Sequence, residues 1–210
     1  KSPASPFRDY YVWANKDSVR HQLYKKAKTL DSDNIRKWHP VNGDTTREHY
    51  YGYFNGLCPD LNLDNGEVRA EIVEIARFWL NEVKVDGFRM DAAKHIFPDE
   101  RAQDNHTFWV WFREEMEKIK PDVYLVGEVW SPAQEVAPYL EGLPSLFNFD
   151  LGYAITDVAR AGRDSIGLVQ RYKEIRDFYK SITTDYLDAT FIKNHDQTRL
   201  LTALEGDLNK

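Results

Sequence analysis

The chain has 210 residues, of which 42% are hydrophobic and 30% charged, and its formal net charge is −6. This is globular composition, too apolar for a disordered chain, and the acidic balance argues against a nucleic-acid surface, which needs clustered Lys and Arg. No apolar run approaches the roughly 18 residues of a membrane span, and the opening KSPASPFRDYY has no signal-peptide core, so no membrane partner is expected. Cys58 is the single cysteine, which excludes an intrachain disulfide and a Cys-rich zinc site. The compartment, secreted or cytoplasmic, stays open.

Residues 1–64 read as one irregular region, rich in Asp, Asn, Pro and Gly. It carries short aromatic stretches, Tyr10–Trp13 and Tyr50–Phe54, with Tyr24 and Trp38 between them. No helical period runs through it, so it is expected to be loop-rich with short strands. Aromatic faces suit ring-shaped ligands such as sugars, but large side chains also fill a small core. Cys58 reads as a small packed residue.

Residues 65–210 have a different texture. Ile72, Ile75, Ala76, Trp79, Leu80 and Val83 fall on one face of a helix, which Asp64 and Glu67 would open as a capping box. A short strand follows over 86–91. A second helix runs through Phe108, Trp111, Phe112, Met116 and Ile119 and stops before Pro121. Val123–Val129 is nearly continuous in apolar residues, as strands covered on both faces are. A weaker strand is expected over Leu146–Phe149, a helix over about 164–182, a strand over Ala189–Ile192 and a helix from Thr198 to Leu204.

Strands alternating with helices imply a parallel sheet. It can close as a (β/α)8 barrel or stay open and doubly wound. No GxGxxG or GxxxxGK follows a strand, so nucleotide binding has no support, nor does any organic cofactor. Asp91, Glu128 and Asp196 each stand at the carboxyl end of an expected strand. In a barrel those ends share one mouth, where catalytic groups gather.

On the strand 86–91, Arg89 and Asp91 point to the same face. A guanidinium beside Asp91 would aim its carboxylate, as a nucleophile requires. Glu128 ends an apolar run, and apolar walls suit a carboxyl that donates a proton. Asp196 follows His195, a polar pair at the same end. Each alone could be a helix cap or a surface acid. Together, spaced by about one and two strand–helix units, they are the apparatus of glycoside hydrolysis, which uses two carboxyl groups flanking the bond.

The segments GFRMDAAKH (87–95), GEVW (127–130) and FIKNHD (191–196) resemble three segments of the α-amylase family of glycoside hydrolases. CPDLN (58–62) resembles a fourth, in the domain that this family inserts after the third barrel strand, and RDYYVW (8–13) is similar to that inserted domain in bacterial members. The resemblance implies an α/β fold: part of a (β/α)8 TIM barrel, about strands 4 to 7, over residues 65–210, preceded by a partial inserted domain over 1–64. It implies a retaining hydrolase of α-1,4-glucosidic bonds in starch, glycogen or maltodextrins. The alternatives are an α-glucosidase, cyclomaltodextrinase, neopullulanase or transglycosidase of the same family, or, as a third, a non-catalytic carbohydrate-binding relative. Asp91 matches the nucleophile, Glu128 the general acid/base and Asp196 the third acid. Arg89, Lys94, His95 and His195 match substrate-binding or orienting residues. Asp60 and the carbonyl of His95 match two calcium ligands, oxygen donors of the kind that calcium takes. The segments of the third and eighth strands find no match. The expectation is therefore that the remaining strands come from a longer chain or a partner, and that these residues alone are not an active monomer.

Overall fold

The computed structural model describes residues 4–23 and 37–207; Tyr24, singled out above, lies outside them. The chain divides into two compact units, one made of residues 1–83 with 95–102 and the other of 84–94 with 103–210.

In the first unit each short aromatic stretch contributes one or two residues to a strand. β1 (Trp13–Ala14) leads into α1 (Lys16–Leu23), and β2 (Trp38–Pro40) and β3 (His49–Tyr51) complete an antiparallel sheet in the order β1-β3-β2. Trp13 pairs with Tyr50, and Trp38 with Tyr51, across the ladder. Both ring pairs meet edge to face, at 6.0 and 5.1 Å between centroids, the geometry that the ring quadrupoles favour.

Helix α2 (Gly66–Phe78) follows, and its start differs from the expectation. The N-cap is Asn65, whose side chain accepts a bond from the Glu67 amide at 2.8 Å. Asp64 is instead bound by both terminal nitrogens of Arg101, at 2.5 and 2.8 Å. The expected apolar face is only partly covered. Ala76 and Leu80 are buried, whereas Ile75, Trp79 and Val83 are exposed. Part of the reason is that α2 gives way to a π-turn over Trp79–Val83. Its wider i→i+5 spacing breaks the 3.6-residue period on which the face was drawn.

In the second unit, β4 (Gly87–Met90), α3 (Ala102–Ile119, of which all but the first residue lies in this unit), β5 (Tyr124–Gly127), α4 (Ala133–Val136), β6 (Ser145–Phe147), α5 (Phe149–Ala161), α6 (Leu168–Ile182), β7 (Leu187–Ala189) and α7 (Leu200–Ala203) follow in turn. The four strands are parallel and lie in chain order, β4-β5-β6-β7. A doubly wound sheet reverses its order at a switch point. This one never does, so the winding is that of a barrel arc.

Three expectations shift. Phe149 belongs to α5 rather than to β6, because Asn148 stops the strand and caps the helix by accepting from the Leu151 amide at 3.0 Å. Helix α5 itself escaped the periodicity reading. Its buried residues are Phe149 and Leu151 with the small or polar Gly152, Ala154 and Thr156, so the apolar bulk is gathered in the first turn rather than repeated along one face. The last strand sits two residues earlier than expected, so Phe191 and Ile192 fall in the loop after β7.

The core of this unit includes Phe108, Trp109, Phe112 and Met116 of α3, Leu125 and Val126 of β5, and Leu146 of β6, all at most 7% exposed. Each such side chain contributes about 1.5–3 kcal/mol by leaving water. Gly87 is required by contact. A Cβ there would lie 1.8 Å from the Tyr124 carbonyl oxygen, the residue paired with it across the ladder.

Candidate active site

The backbone first ties the ends of β4 and β5 together. The Glu128 amide donates to the Met90 carbonyl, and the Glu128 carbonyl accepts from the Ala93 amide, both at 2.9 Å. Asp91 is therefore held in a turn whose two ends are bound to the Glu128 backbone. The turn is tight. Ala92 has φ of +46°, a left-handed conformation that costs a residue with a Cβ about 1–2 kcal/mol. Fixed contacts maintain it: Ala93 is fully buried, the Trp109 indole donates to its carbonyl at 2.7 Å, and the Asn105 amide donates to the Lys94 carbonyl at 2.9 Å.

Side chains then converge. Arg89 Nη1 lies 2.7 Å from Asp91 Oδ1, and Arg89 Nη2 binds Glu128 Oε2. One guanidinium thus clamps an oxygen of each carboxylate, and charge-assisted bonds of this kind fix both orientations. The two acids sit in different surroundings, since the Glu128 side chain is 8% exposed and that of Asp91 74%. Apolar walls around Glu128 were expected; the structure buries its side chain and sets the Arg89 guanidinium against the carboxylate.

The loop after β7 holds the other two residues. Asn194 Oδ1 accepts from the Asp196 amide at 3.1 Å, and the Asn194 amide donates to Gln197 Oε1 at 3.2 Å. His195 Nε2 lies 3.2 Å from Asp196 Oδ2, and both side chains are exposed. Arg89, Asp91 and Glu128 form one contact cluster, and His195 and Asp196 another. Lys94 donates to the Trp130 carbonyl at 3.1 Å and to Ser131 Oγ at 2.8 Å, so it braces the segment that follows Glu128.

Beyond Glu128 lies an aromatic group that the sequence reading passed over. Trp130 stacks on Phe149 at 4.9 Å, and its indole donates to the Tyr153 hydroxyl at 2.8 Å. Phe191 meets Phe149 edge-on, and Lys193 Nζ lies 5.3 Å from the Tyr153 ring centre. The signal available was the aromatic residue following GEV and the aromatics clustered near position 150.

Asp60 and His95 lie in the first unit. The His95 ring stacks on Tyr53 at 4.1 Å and is 7% exposed, so it is packed away from solvent. Asp60 Oδ1 accepts from the Tyr53 amide at 3.4 Å. Burial pushes the Asp60 carboxyl up to about 6, against the pull of that bond and of the Lys37 ammonium. Lys37 in turn binds Asp99 Oδ2 at 2.6 Å and lies over the Tyr53 ring at 4.3 Å. Among the described residues, no group of three or more His, Cys, Asp or Glu could hold a metal ion. Calcium takes six to eight oxygens, so these residues do not by themselves fit a calcium centre, and no step below runs through one. Cys58, expected to be packed, is exposed. Among the described residues, no helix is long and apolar enough to cross a membrane.

Known proteins resemble this chain over nearly its whole length. The family model described as the catalytic domain of alpha amylase matches residues 1–210. The chain is 40% identical over 207 residues to Alpha-amylase 3 of Dictyoglomus thermophilum, covering 98% of this chain and 37% of that protein. It is 32% identical over 204 residues to a 4-alpha-glucanotransferase of Thermotoga neapolitana, covering 97% and 41%. Among solved structures, an alpha-amylase from H. orenii superposes with a TM-score of 0.83 at 43% identity, covering 99% of this chain and 40% of that one. The chain thus spans about two fifths of the length of these relatives. Four parallel strands in unbroken order are the arc that such a barrel would contribute, and the match over every residue settles the kinship: this chain belongs to the alpha-amylase catalytic-domain family.

Proposed function

We propose that the full-length protein hydrolyses α-1,4-glucosidic bonds of starch, glycogen or maltodextrins, with retention of configuration. The observation that carries this reading is the Arg89 clamp, which aims the Asp91 and Glu128 carboxylates from adjacent strand ends. Retaining glycosidases hold their two carboxyl groups about 5–5.5 Å apart, a span that one guanidinium can bridge.

In the first step Glu128 gives a proton to the glycosidic oxygen as the bond to the anomeric carbon breaks. Asp91, aimed by Arg89, attacks that carbon and forms a glycosyl ester. In the second step Glu128, now a base, takes a proton from water, which attacks the same carbon and releases Asp91. Asp196 and His195 bind the hydroxyls of the reacting ring, and the negative charge of Asp196 favours the oxocarbenium-like transition state. Lys94 keeps the Trp130–Ser131 segment in place behind Glu128.

A second reading is transfer of the glycosyl unit to another glucan rather than to water, supported by the relative named 4-alpha-glucanotransferase. The full-length protein is incubated with maltoheptaose while reducing ends, product lengths and the anomer formed first are followed. Rising reducing ends with the α-anomer first are the expected result. Longer and shorter oligosaccharides at constant reducing ends would replace hydrolysis by transfer. The β-anomer first would overturn the double displacement.

A further inference from the structure

Helices α5 and α6 do not close on each other along their whole length. Between them lies a cavity of about 380 Å³, lined by Asp150, Tyr153 and Asp157 of α5, Ile166 and Gly167 of the connecting loop, and Gln170, Arg171 and Glu174 of α6. Clefts that hold small organic molecules run from about 300 to 1,000 Å³.

The lining has a particular chemistry. Tyr153 offers a ring that is 40% exposed, and Ile166 an apolar side chain that is 47% exposed. Around them stand planar polar groups: three carboxylates, an amide and a guanidinium. Several are already oriented. Gln170 Nε2 donates to Glu174 Oε1 at 2.9 Å, and Asp150 Oδ2 accepts from the Ala133 amide at 3.1 Å, with Arg171 Nη2 at 3.8 Å from the same oxygen. Fixed acceptors and donors beside an aromatic face match a ligand with a flat, weakly polar face and hydroxyls around its edge. A glucose ring is such a ligand. The left-handed φ of Gly167, +68°, carries the chain around the end of the cavity into α6.

The cavity also has a structural link to the candidate active site. Tyr153 lines it and accepts from the indole of Trp130, two residues past Glu128. Lys193, on the loop that carries His195 and Asp196, lies against the same ring. Tyr153 therefore joins the cavity to both segments that carry the candidate acids.

We infer that the α5–α6 cavity is an additional glucan-binding site, which takes glucosyl units of a long chain whose cleaved bond lies at Asp91 and Glu128. This rests on the α-glucan reading above, and it makes chain length a property that α6 reads. On this inference long glucans engage Gln170 and Glu174 and short ones do not.

The test is isothermal titration of the full-length protein carrying Asp91→Asn, which keeps the ligand uncut, with maltotriose and with maltoheptaose. Adding Gln170→Ala and Glu174→Ala, both on the exposed side of α6, is expected to weaken maltoheptaose binding about tenfold more than maltotriose binding. Tyr153→Ala is expected to shift the same ratio in the same direction. Equal losses for the two ligands, or no loss for either, would overturn the site. Hydrolysis by Asp91→Asn would refute the catalytic assignment, and the cavity would then be judged by the same titration in the Asp91→Asn, Glu128→Gln double variant, in which the ligand stays whole.

Discussion

Replacing Arg89 by Met removes the cation that two carboxylates share. The ion pair with Asp91 contributes little to stability, because a carboxylate that is 74% exposed is resolvated by water; exposed pairs are worth about 0–1 kcal/mol. The Glu128 side is different. Its side chain is 8% exposed, and stripping the partner from a buried charge costs about 3–5 kcal/mol when nothing replaces it. Arg89 itself is 32% exposed, so water enters with the substitution, and the loss should come nearer to about 2–3 kcal/mol. A double-mutant cycle isolates this. In a Glu128→Gln background no anion is left to compensate, and Arg89→Met should then cost less than about 1 kcal/mol, a coupling of about 2 kcal/mol. Urea unfolding of the four full-length proteins at pH 7 measures it, with the m-value as the check that the unfolded states match. If Arg89→Met costs the same in both backgrounds, the guanidinium is supporting the fold by packing its stem, and the clamp has no electrostatic role.

Three further outcomes follow from other parts of the structure. Asp60 has a folded-state pKa raised to about 6, so the folded form holds more protons than the unfolded one between about pH 4 and 6 and stability falls as pH rises through that window; Asp60→Asn should flatten the melting temperature over that range and raise it at pH 7, whereas a lower value for the variant at pH 7, with added calcium raising the melting temperature of the wild type only, would reveal a cation on the carboxylate. Gly87→Ala places a methyl on the Tyr124 carbonyl; overpacking costs about 1–3 kcal/mol or more, so the melting temperature should drop by several degrees together with activity, and an unchanged melt would mean that β4 and β5 separate freely. Glu128→Gln should abolish starch hydrolysis yet keep rapid release of an activated phenol from an aryl maltoside, since a good leaving group needs no proton; equal loss on both substrates would remove Glu128 from the acid role.

The placement of Arg89, Asp91 and Glu128 was easier to read than several of the elements, for a physical reason. Asp91, Arg89 and Glu128 are set by the two-residue period of strands and by where apolar runs end, and both signals are local. The clamp follows from them, because parallel neighbours bring strand ends level, as the pairing of Met90 with Gly127 does. Helix α5 left a weaker trace, since beyond Phe149 and Leu151 in its first turn the buried residues are Gly152, Ala154 and Thr156, which pack by close approach rather than by bulk. A Cβ on Gly152 would lie 2.8 Å from the Phe191 carbonyl, so that glycine is specified by a loop some forty residues later, which no window around it contains. The same holds for the cap that swapped Asp64 for Asn65. Both can accept from a first-turn amide, and the choice was made by Arg101, which takes both Asp64 oxygens. Lys94 shows the limit from the functional side. Its place after Asp91 is readable, but its bonds to Trp130 and Ser131 depend on how two loops meet. Side chains that stand at the end of their own strand are legible one segment at a time, and those that hold another segment are legible only once both segments are folded.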